Sequence, residues 1–170
     1  GKKQQDRQPS QLEIKKINRE FSKGEIEGLE INADTLSAVE ILADKSIQSI
    51  ITSPPYFNII KYTGDEREIG QENSLRSYLE SLTYLFVSLL PKLKDDGTLC
   101  INISDTKTHQ VIPALLAKLL ENNGYKLQEN ITWVKANPIP TGARRIQRTT
   151  ESILCFSKKG HKAKTNVLLV

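Results

Sequence analysis

Residues 47–56, Ile47-Gln48-Ser49-Ile50-Ile51-Thr52-Ser53-Pro54-Pro55-Tyr56, decide the fold of this chain. The first six are rich in β-branched side chains, which predicts a strand over 47–52. The two prolines then end the strand, because each lacks a backbone N–H donor and has a fixed φ angle. A buried strand therefore passes directly into a stiff loop, which we call the Pro-Pro loop (residues 53–56).

Helices and strands alternate on both sides of this stretch. Apolar spacing predicts helices over 35–42, 74–90 and 111–122, and further strands over 29–32, 98–104, 126–134 and 152–157. The triplet Asp95-Asp96-Gly97 predicts a turn before the strand at 98. This order, with strands of the fully buried type, is typical of an α/β fold with a doubly wound, Rossmann-like sheet covered on both faces.

The length of 170 residues suits one α/β domain. We expect a basic and polar N-terminal arm with a short helix over 1–28, the main portion over 29–160, and the start of a connection over 161–170. No apolar run approaches the roughly 20 residues that span a bilayer, so a cytoplasmic protein is expected. The net charge of +4 favours a polyanionic partner only mildly.

The two cysteines, Cys100 and Cys155, lie in apolar runs with no clustered histidine or CxxC spacing. We therefore expect buried free thiols and no metal site. A ligand site is expected elsewhere, because ligands of doubly wound sheets gather at the carboxyl ends of the strands. Asp34 and Ser53 both lie just past the ends of predicted strands and should lie at that edge.

The sequence Thr52-Ser53-Pro54-Pro55-Tyr56 resembles the catalytic loop of amino-methylating DNA methyltransferases of the β arrangement. An exocyclic amine is a poor nucleophile because its lone pair is delocalised into the base. The Ser53 hydroxyl and the Pro54 carbonyl would accept its hydrogens, Pro55 would stiffen the turn, and the Tyr56 ring would stack on a flipped base. A plain strand-ending turn with a core tyrosine is the alternative.

The resemblance extends from Leu29 to about Gly160. It implies S-adenosylmethionine as the cofactor, with Asp34, Thr35, Thr52 and Ser53 as the residues that bind it. Asp34 aligns with an aspartate that contacts the cofactor's adenine, although it would also serve as a helix N-cap. Ala33 departs from the family pattern, which has glycine there.

A later segment, 131–138, resembles the part of these enzymes that lies beside the flipped base. It makes Trp133, Lys135 and Asn137 candidates for the target-base pocket, with a core position as the alternative for Trp133. Phosphate contacts are expected from the basic loop that follows, at Arg144, Arg145 and Arg148. Family members often carry a His-Glu pair near this point, where this chain has Thr150-Glu151.

The nine glycines form no Gly-x-Gly pair, the motif that lets a Rossmann-type sheet approach its cofactor closely. We therefore expect a second polypeptide, or a further segment of the same protein, to carry the glycine-rich cofactor loop and the target-recognition region. The resemblance also implies a mostly parallel sheet with one antiparallel strand, incomplete in this chain.

The predicted function is methyl transfer from S-adenosylmethionine to N4 of cytosine in a specific sequence of double-stranded DNA, within bacterial restriction-modification and near the nucleoid. Ser53 is the feature that favours cytosine, and N6 of adenine stays open. A non-catalytic DNA-binding subunit is the alternative of a different class. Related enzymes that methylate a protein glutamine use Asn-Pro-Pro-Tyr, so Ser53 and the basic tail argue against them.

Overall fold

A computed structural model describes residues 31, 33–61, 68–137 and 149–164. Helices and strands alternate through most of this part of the chain. Their order is α1 (Thr35–Ile41), β1 (Ile47–Thr52), α2 (Leu75–Leu89), β2 (Leu93–Ile103), α3 (Ile112–Asn122), β3 (Tyr125–Val134) and β4 (Thr150–Lys158). The predicted arm over 1–28, most of the strand predicted over 29–32, and Arg144, Arg145 and Arg148 lie outside the described residues.

The four strands form one sheet in the order β1-β2-β4-β3. β1 and β2 are parallel, whereas β4 is antiparallel to both of its neighbours, β2 and β3. Three strands therefore run in one direction and β4 runs in the other. This confirms the mostly parallel Rossmann-like sheet with one antiparallel strand, and it places the reversed strand inside the sheet.

Helix α2 forms the centre of the core. The Ser74 side chain accepts a hydrogen bond from the Ser77 backbone N–H (3.1 Å) and so caps its first turn. Its buried side chains recur at helical spacing, as the sequence predicts: Tyr78, Leu79, Leu82, Leu85, Phe86 and Leu89. They pack in one cluster with apolar side chains of β2, α3 and β4.

The pairing register divides the sheet into a covered face and an open face. Leu99 lies opposite Phe156 and Ile101 opposite Leu154, and all four are buried in the helical core. Residues between them point the other way. On that open face Ile51 is 81% exposed and Ile131 is 51% exposed, so the described helices cover one face and not the two that the strands predict.

Strand β2 begins earlier than the sequence predicts. Ile47 pairs with Leu93 and Ser49 with Thr98, so two steps along β1 correspond to five along β2. The Asp95-Asp96-Gly97 triplet is therefore an irregularity within a strand, and not a turn before it. Leu93 is fully buried, which keeps this part of the chain on the sheet.

The two cysteines lie directly opposite each other on β2 and β4. Both are free and partly buried, with Sγ atoms 3.2 Å apart, so the expected free thiols are present but are less buried than predicted. Burial and the contact with Cys155 raise the pKa of Cys100 to about 12, so this thiol stays protonated at neutral pH.

Within the described residues, none of the helices combines the length and the apolar character that a membrane span requires.

The packing of α2 yields a prediction about stability. Leu82→Ala should lower the free energy of unfolding by about 2–5 kcal/mol, because a cavity would open at a fully buried position of the core. Tyr84→Ala is the matched control on the same helix, since Tyr84 is 65% exposed, and it should change stability by less than about 1 kcal/mol. Denaturant unfolding of both variants measures the difference. Equal losses would contradict this packing.

Candidate active site

The Pro-Pro loop lies at the carboxyl end of β1, at the edge where β2 and β3 also end. Pro54 is buried, whereas Ser53 is exposed and Tyr56 is partly buried. The next residue, Phe57, is 3% exposed and belongs to the core. The loop is therefore fixed from beneath while it presents its serine at the surface.

Tyr78 of α2 anchors the loop. Its hydroxyl donates a 2.9 Å hydrogen bond to the Pro55 carbonyl, and its ring packs against Phe57 with 5.3 Å between centroids. Burial, together with the charge of Glu72 and the nearby Tyr56, raises the pKa of Tyr78, so the hydroxyl remains a donor. A core helix thus holds the backbone of the loop directly.

Gly70 closes the loop from the other side. Its carbonyl accepts a 2.7 Å hydrogen bond from the Asn58 N–H, and its φ of +100° lies in the left-handed region. A Cβ at this position would lie 3.1 Å from the Tyr56 carbonyl oxygen and 3.2 Å from Pro55 Cβ. The approach of the two backbones therefore requires glycine.

The loop that follows β2 forms a neighbouring wall. The Asp105 carboxylate accepts a 2.8 Å hydrogen bond from the N–H of Ile112, the first residue of α3. The ring of His109 packs edge-on against Phe57, with centroids 5.2 Å apart. The residue after the Pro-Pro loop is thus in contact with the loop that leaves the adjacent strand.

A cavity of about 590 Å³ opens between α1, β1 and α2. Its volume is within the roughly 300–1,000 Å³ of small-molecule sites. The residues predicted to bind the cofactor all line it, together with both prolines: Asp34, Thr35, Thr52, Ser53, Pro54 and Pro55. Sequence reasoning therefore named a set of residues that the fold brings together around one space.

The ionisable residues that line this cavity are acidic. Asp34 and Glu68 line it, and its described lining includes no lysine or arginine. Asp34 is also the N-cap of α1, since its Oδ1 atom accepts from the N–H groups of Leu36 (3.0 Å) and Ser37 (3.3 Å). The capping role is confirmed, and it orients the carboxylate at the cavity wall.

Glu151 lies behind the Pro-Pro loop, and sequence reasoning did not single it out. Its carboxylate accepts a 2.7 Å hydrogen bond from the Tyr56 hydroxyl and pairs with Lys135 Nζ at 2.5 Å. A hydrogen bond with Asn102 completes what we call the Glu151 cluster: Glu151, Tyr56, Lys135 and Asn102. The one available signal was the resemblance noted in the sequence, in which Thr150-Glu151 stands where family members often carry a His-Glu pair.

Burial and hydrogen bonding act in opposite directions on Glu151. Burial raises the pKa of its carboxyl, but hydrogen bonds from Lys135, Tyr56 and Asn102 outweigh this effect and leave the pKa below its ordinary value. The group is therefore ionised at neutral pH. An ionised carboxylate only accepts hydrogen bonds, so the Tyr56 hydroxyl must be the donor.

The predicted target-base residues lie near the same edge but are not all brought together. Lys135 belongs to the Glu151 cluster. Trp133 lies opposite Glu151 on the open face and is 51% exposed, so it is not a core residue in the described structure. Asn137 is exposed on the loop after β3.

Comparison with known proteins identifies relatives of one kind. The sequence profile of the family described as DNA methylase, with N6 and N4 in its name, matches residues 47–169. The Type II methyltransferase M.MwoI of Methanothermobacter wolfeii is 36% identical over 141 residues, which cover 78% of this chain and 21% of that protein. The chain spans 21% to 60% of the length of the first five curated relatives that it matches.

Solved structures share the fold. The PvuII DNA methyltransferase, described as cytosine-N4-specific, gives a TM-score of 0.59 at 19% identity, over 76% of this chain and 49% of that one. A protein from Thermus thermophilus in complex with S-adenosyl-L-methionine gives a TM-score of 0.58 at 21% identity, over 78% of this chain and 54% of that one. At these identities the likeness concerns the fold alone.

The close approach at Gly70 yields a prediction. Gly70→Ala and Gly160→Ala should each cost roughly 1–2 kcal/mol of stability, because both glycines have positive φ. Gly70→Ala should cost a further ~1–3 kcal/mol because the new methyl group pushes on the loop. Gly160 is the matched control, since a Cβ there meets nothing within 4 Å. Thermal unfolding compares the two, and an equal loss would contradict the geometry of the loop.

Proposed function

This chain belongs to the N6/N4 DNA methylase family, and on that premise we propose that it is the catalytic part of a site-specific DNA methyltransferase that acts on N4 of cytosine. The observation that carries the proposal is the position of the Pro-Pro loop. It places Ser53 and Pro54 on the wall of the 590 Å³ cavity, while Tyr56 stands behind them on the Glu151 cluster. A methyl donor and a target amine would meet at Ser53.

The family uses S-adenosylmethionine, and the cavity fits this cofactor in three respects. The first is volume, and the second is the apolar wall that α1 and α2 provide for an aromatic base. The third is the acidic lining by Asp34 and Glu68, which suits a cation. The bound cofactor supplies a methyl group activated by its positively charged sulfur. Asp34, Thr35, Thr52 and Ser53 are the residues that would hold it.

The residues of the loop have separate tasks in methyl transfer. The Ser53 hydroxyl and the Pro54 carbonyl accept hydrogen bonds from the exocyclic amine, which localises its lone pair on nitrogen and raises its nucleophilicity. The neighbouring Pro55 carbonyl already accepts from Tyr78, so the backbone is fixed before the base arrives. As the amine nitrogen bonds the methyl group, the methyl–sulfur bond breaks, and the proton that the amine gives up passes along these hydrogen bonds to solvent.

The base must leave the duplex to reach this loop, because its reacting atom is inaccessible in stacked DNA. The Tyr56 ring offers a face on which the flipped base would stack, and the half-exposed Trp133 and the exposed Asn137 would border the pocket. The basic loop with Arg144, Arg145 and Arg148 would contact phosphates of double-stranded DNA.

Two further features belong to the proposal. Serine at the first position of the loop favours cytosine N4 over adenine N6, since this form looks most like the N4-cytosine enzymes. The absence of Gly-x-Gly from the sequence means that the methionine end of the cofactor requires a glycine-rich loop from a further segment or a partner polypeptide. Restriction-modification is the biological setting that the Type II relatives support.

Mass spectrometry of methylated DNA tests the proposed function. With the glycine-rich segment present, the protein should produce N4-methylcytosine. Formation of N6-methyladenine would show that adenine is the target base, and the absence of any methylated base would contradict the proposed function. Ser53→Ala should lower turnover by roughly 100-fold, as loss of one acceptor at a reacting centre does. Ser88→Ala is the control, because the Ser88 hydroxyl donates to the Tyr84 carbonyl within α2 (2.9 Å), and it should leave turnover unchanged.

The basic loop is tested by the salt dependence of DNA binding. Arg144→Ala or Arg148→Ala should weaken binding to all duplex sequences alike and reduce the slope of log K against log salt by about 1. Titration of labelled duplexes at several salt concentrations gives this slope. Weakening at one base position only, with an unchanged slope, would show direct base recognition and contradict phosphate contact.

A further inference from the structure

The Glu151 cluster gathers side chains from four separate segments. Tyr56 comes from the loop after β1, Asn102 from the end of β2, Lys135 from the position directly after β3, and Glu151 from the start of β4. The two carboxylate oxygens have different partners, since Oε2 accepts from Tyr56 at 2.7 Å and Oε1 pairs with Lys135 at 2.5 Å. The contact between Tyr56 and Glu151 joins residues 95 positions apart.

Burial makes these contacts costly to lose. The Glu151 side chain is 9% exposed, and a carboxylate so placed is destabilising unless several donors surround it. Asn102 also donates a hydrogen bond to this carboxylate through its side-chain amide. Its own Oδ1 is buried and has no hydrogen-bond partner within the described structure. The side chains of Tyr56, Lys135 and Asn102 thus all direct a donor at this carboxylate.

We propose that Glu151 is a positioning residue for the reaction: through its hydrogen bond with the Tyr56 hydroxyl, it holds the tyrosine ring in the orientation that stacks the flipped base. Lys135 and Asn102 in turn fix the carboxylate. This inference rests on the proposed function. It gives the Tyr56 hydroxyl a role that stacking alone does not require, because a phenylalanine ring would stack equally well.

The hydrogen bond between the Tyr56 hydroxyl and the Glu151 carboxylate, which we call the tether, is present over the physiological pH range. The pKa of Glu151 lies below the ordinary value of about 4.3, so the ionised acceptor is fully present above that value. It is lost only as pH falls through the lowered pKa. Near neutral pH, variants should therefore change the height of the activity profile and not its position.

Steady-state kinetics of the complete methyltransferase tests the tether. Tyr56→Phe keeps the ring and removes the donor, and Glu151→Gln replaces one of two acceptors by a donor. Each should lower kcat roughly 10- to 100-fold, the rate equivalent of a hydrogen bond to a charged group. The affinity for S-adenosylmethionine and the KM for DNA should stay within about twofold, because the bond between Tyr56 and Glu151 lies within the protein and contacts neither ligand.

Combining the two variants separates positioning from general stabilisation. If both remove one interaction, Glu151→Gln should have little further effect in the Tyr56→Phe background. Independent losses that multiply, or Tyr56→Phe with wild-type kcat, would overturn the proposal. Should Glu151→Gln fail to fold, Tyr56→Phe still decides, because it deletes a single oxygen atom from the same bond.

Two controls complete the experiment. Glu129→Gln makes the same substitution at an exposed glutamate of β3, and it should leave kcat unchanged. The wild-type enzyme is measured in parallel on the same DNA. If it forms no methylated base, the proposed function fails; if it methylates and the tether variants do too at an equal rate, only the inference about Glu151 fails.

Discussion

The reversed direction of β4 is the constraint on which the site depends. Because β1, β2 and β3 run one way and β4 runs the other, the start of β4 meets the ends of its neighbours at one edge. The loops that follow β1, β2 and β3 lie at this edge, and Glu151 lies there too, at the start of β4. A fully parallel sheet of the same strands would place that carboxylate at the opposite edge, away from the Pro-Pro loop.

Much of the fold was predictable because local signals were strong. The strand over 47–52 is found as predicted, since Pro54 and Pro55 end it unambiguously. Helix α2 has its predicted stripe of apolar residues and a serine cap. The predicted start of β2, at residue 98, was wrong. Asp95-Asp96-Gly97 has the composition of a turn, but the long-range pairing of Leu93 with Ile47 keeps this segment in the strand.

The candidate site likewise has a part that the sequence predicted and a part that it did not. The residues around the cavity lie close to strand and helix ends, so their convergence followed from the topology of an α/β sheet. Glu151 could not be found in this manner, because its partners are distant in sequence and one charged residue at a strand start usually faces solvent. Burial and pairing across three strands became visible only when the register of β4 was known.

The bond between Tyr56 and Glu151 also has an evolutionary consequence. Loss of the hydroxyl would leave a buried carboxylate short of one donor, and loss of the carboxylate would leave Lys135 and Asn102 without their shared acceptor. Natural selection should therefore act on the pair and not on either residue singly. Lineages that replace one residue are expected to replace the other, so positions 56 and 151 should covary among related sequences.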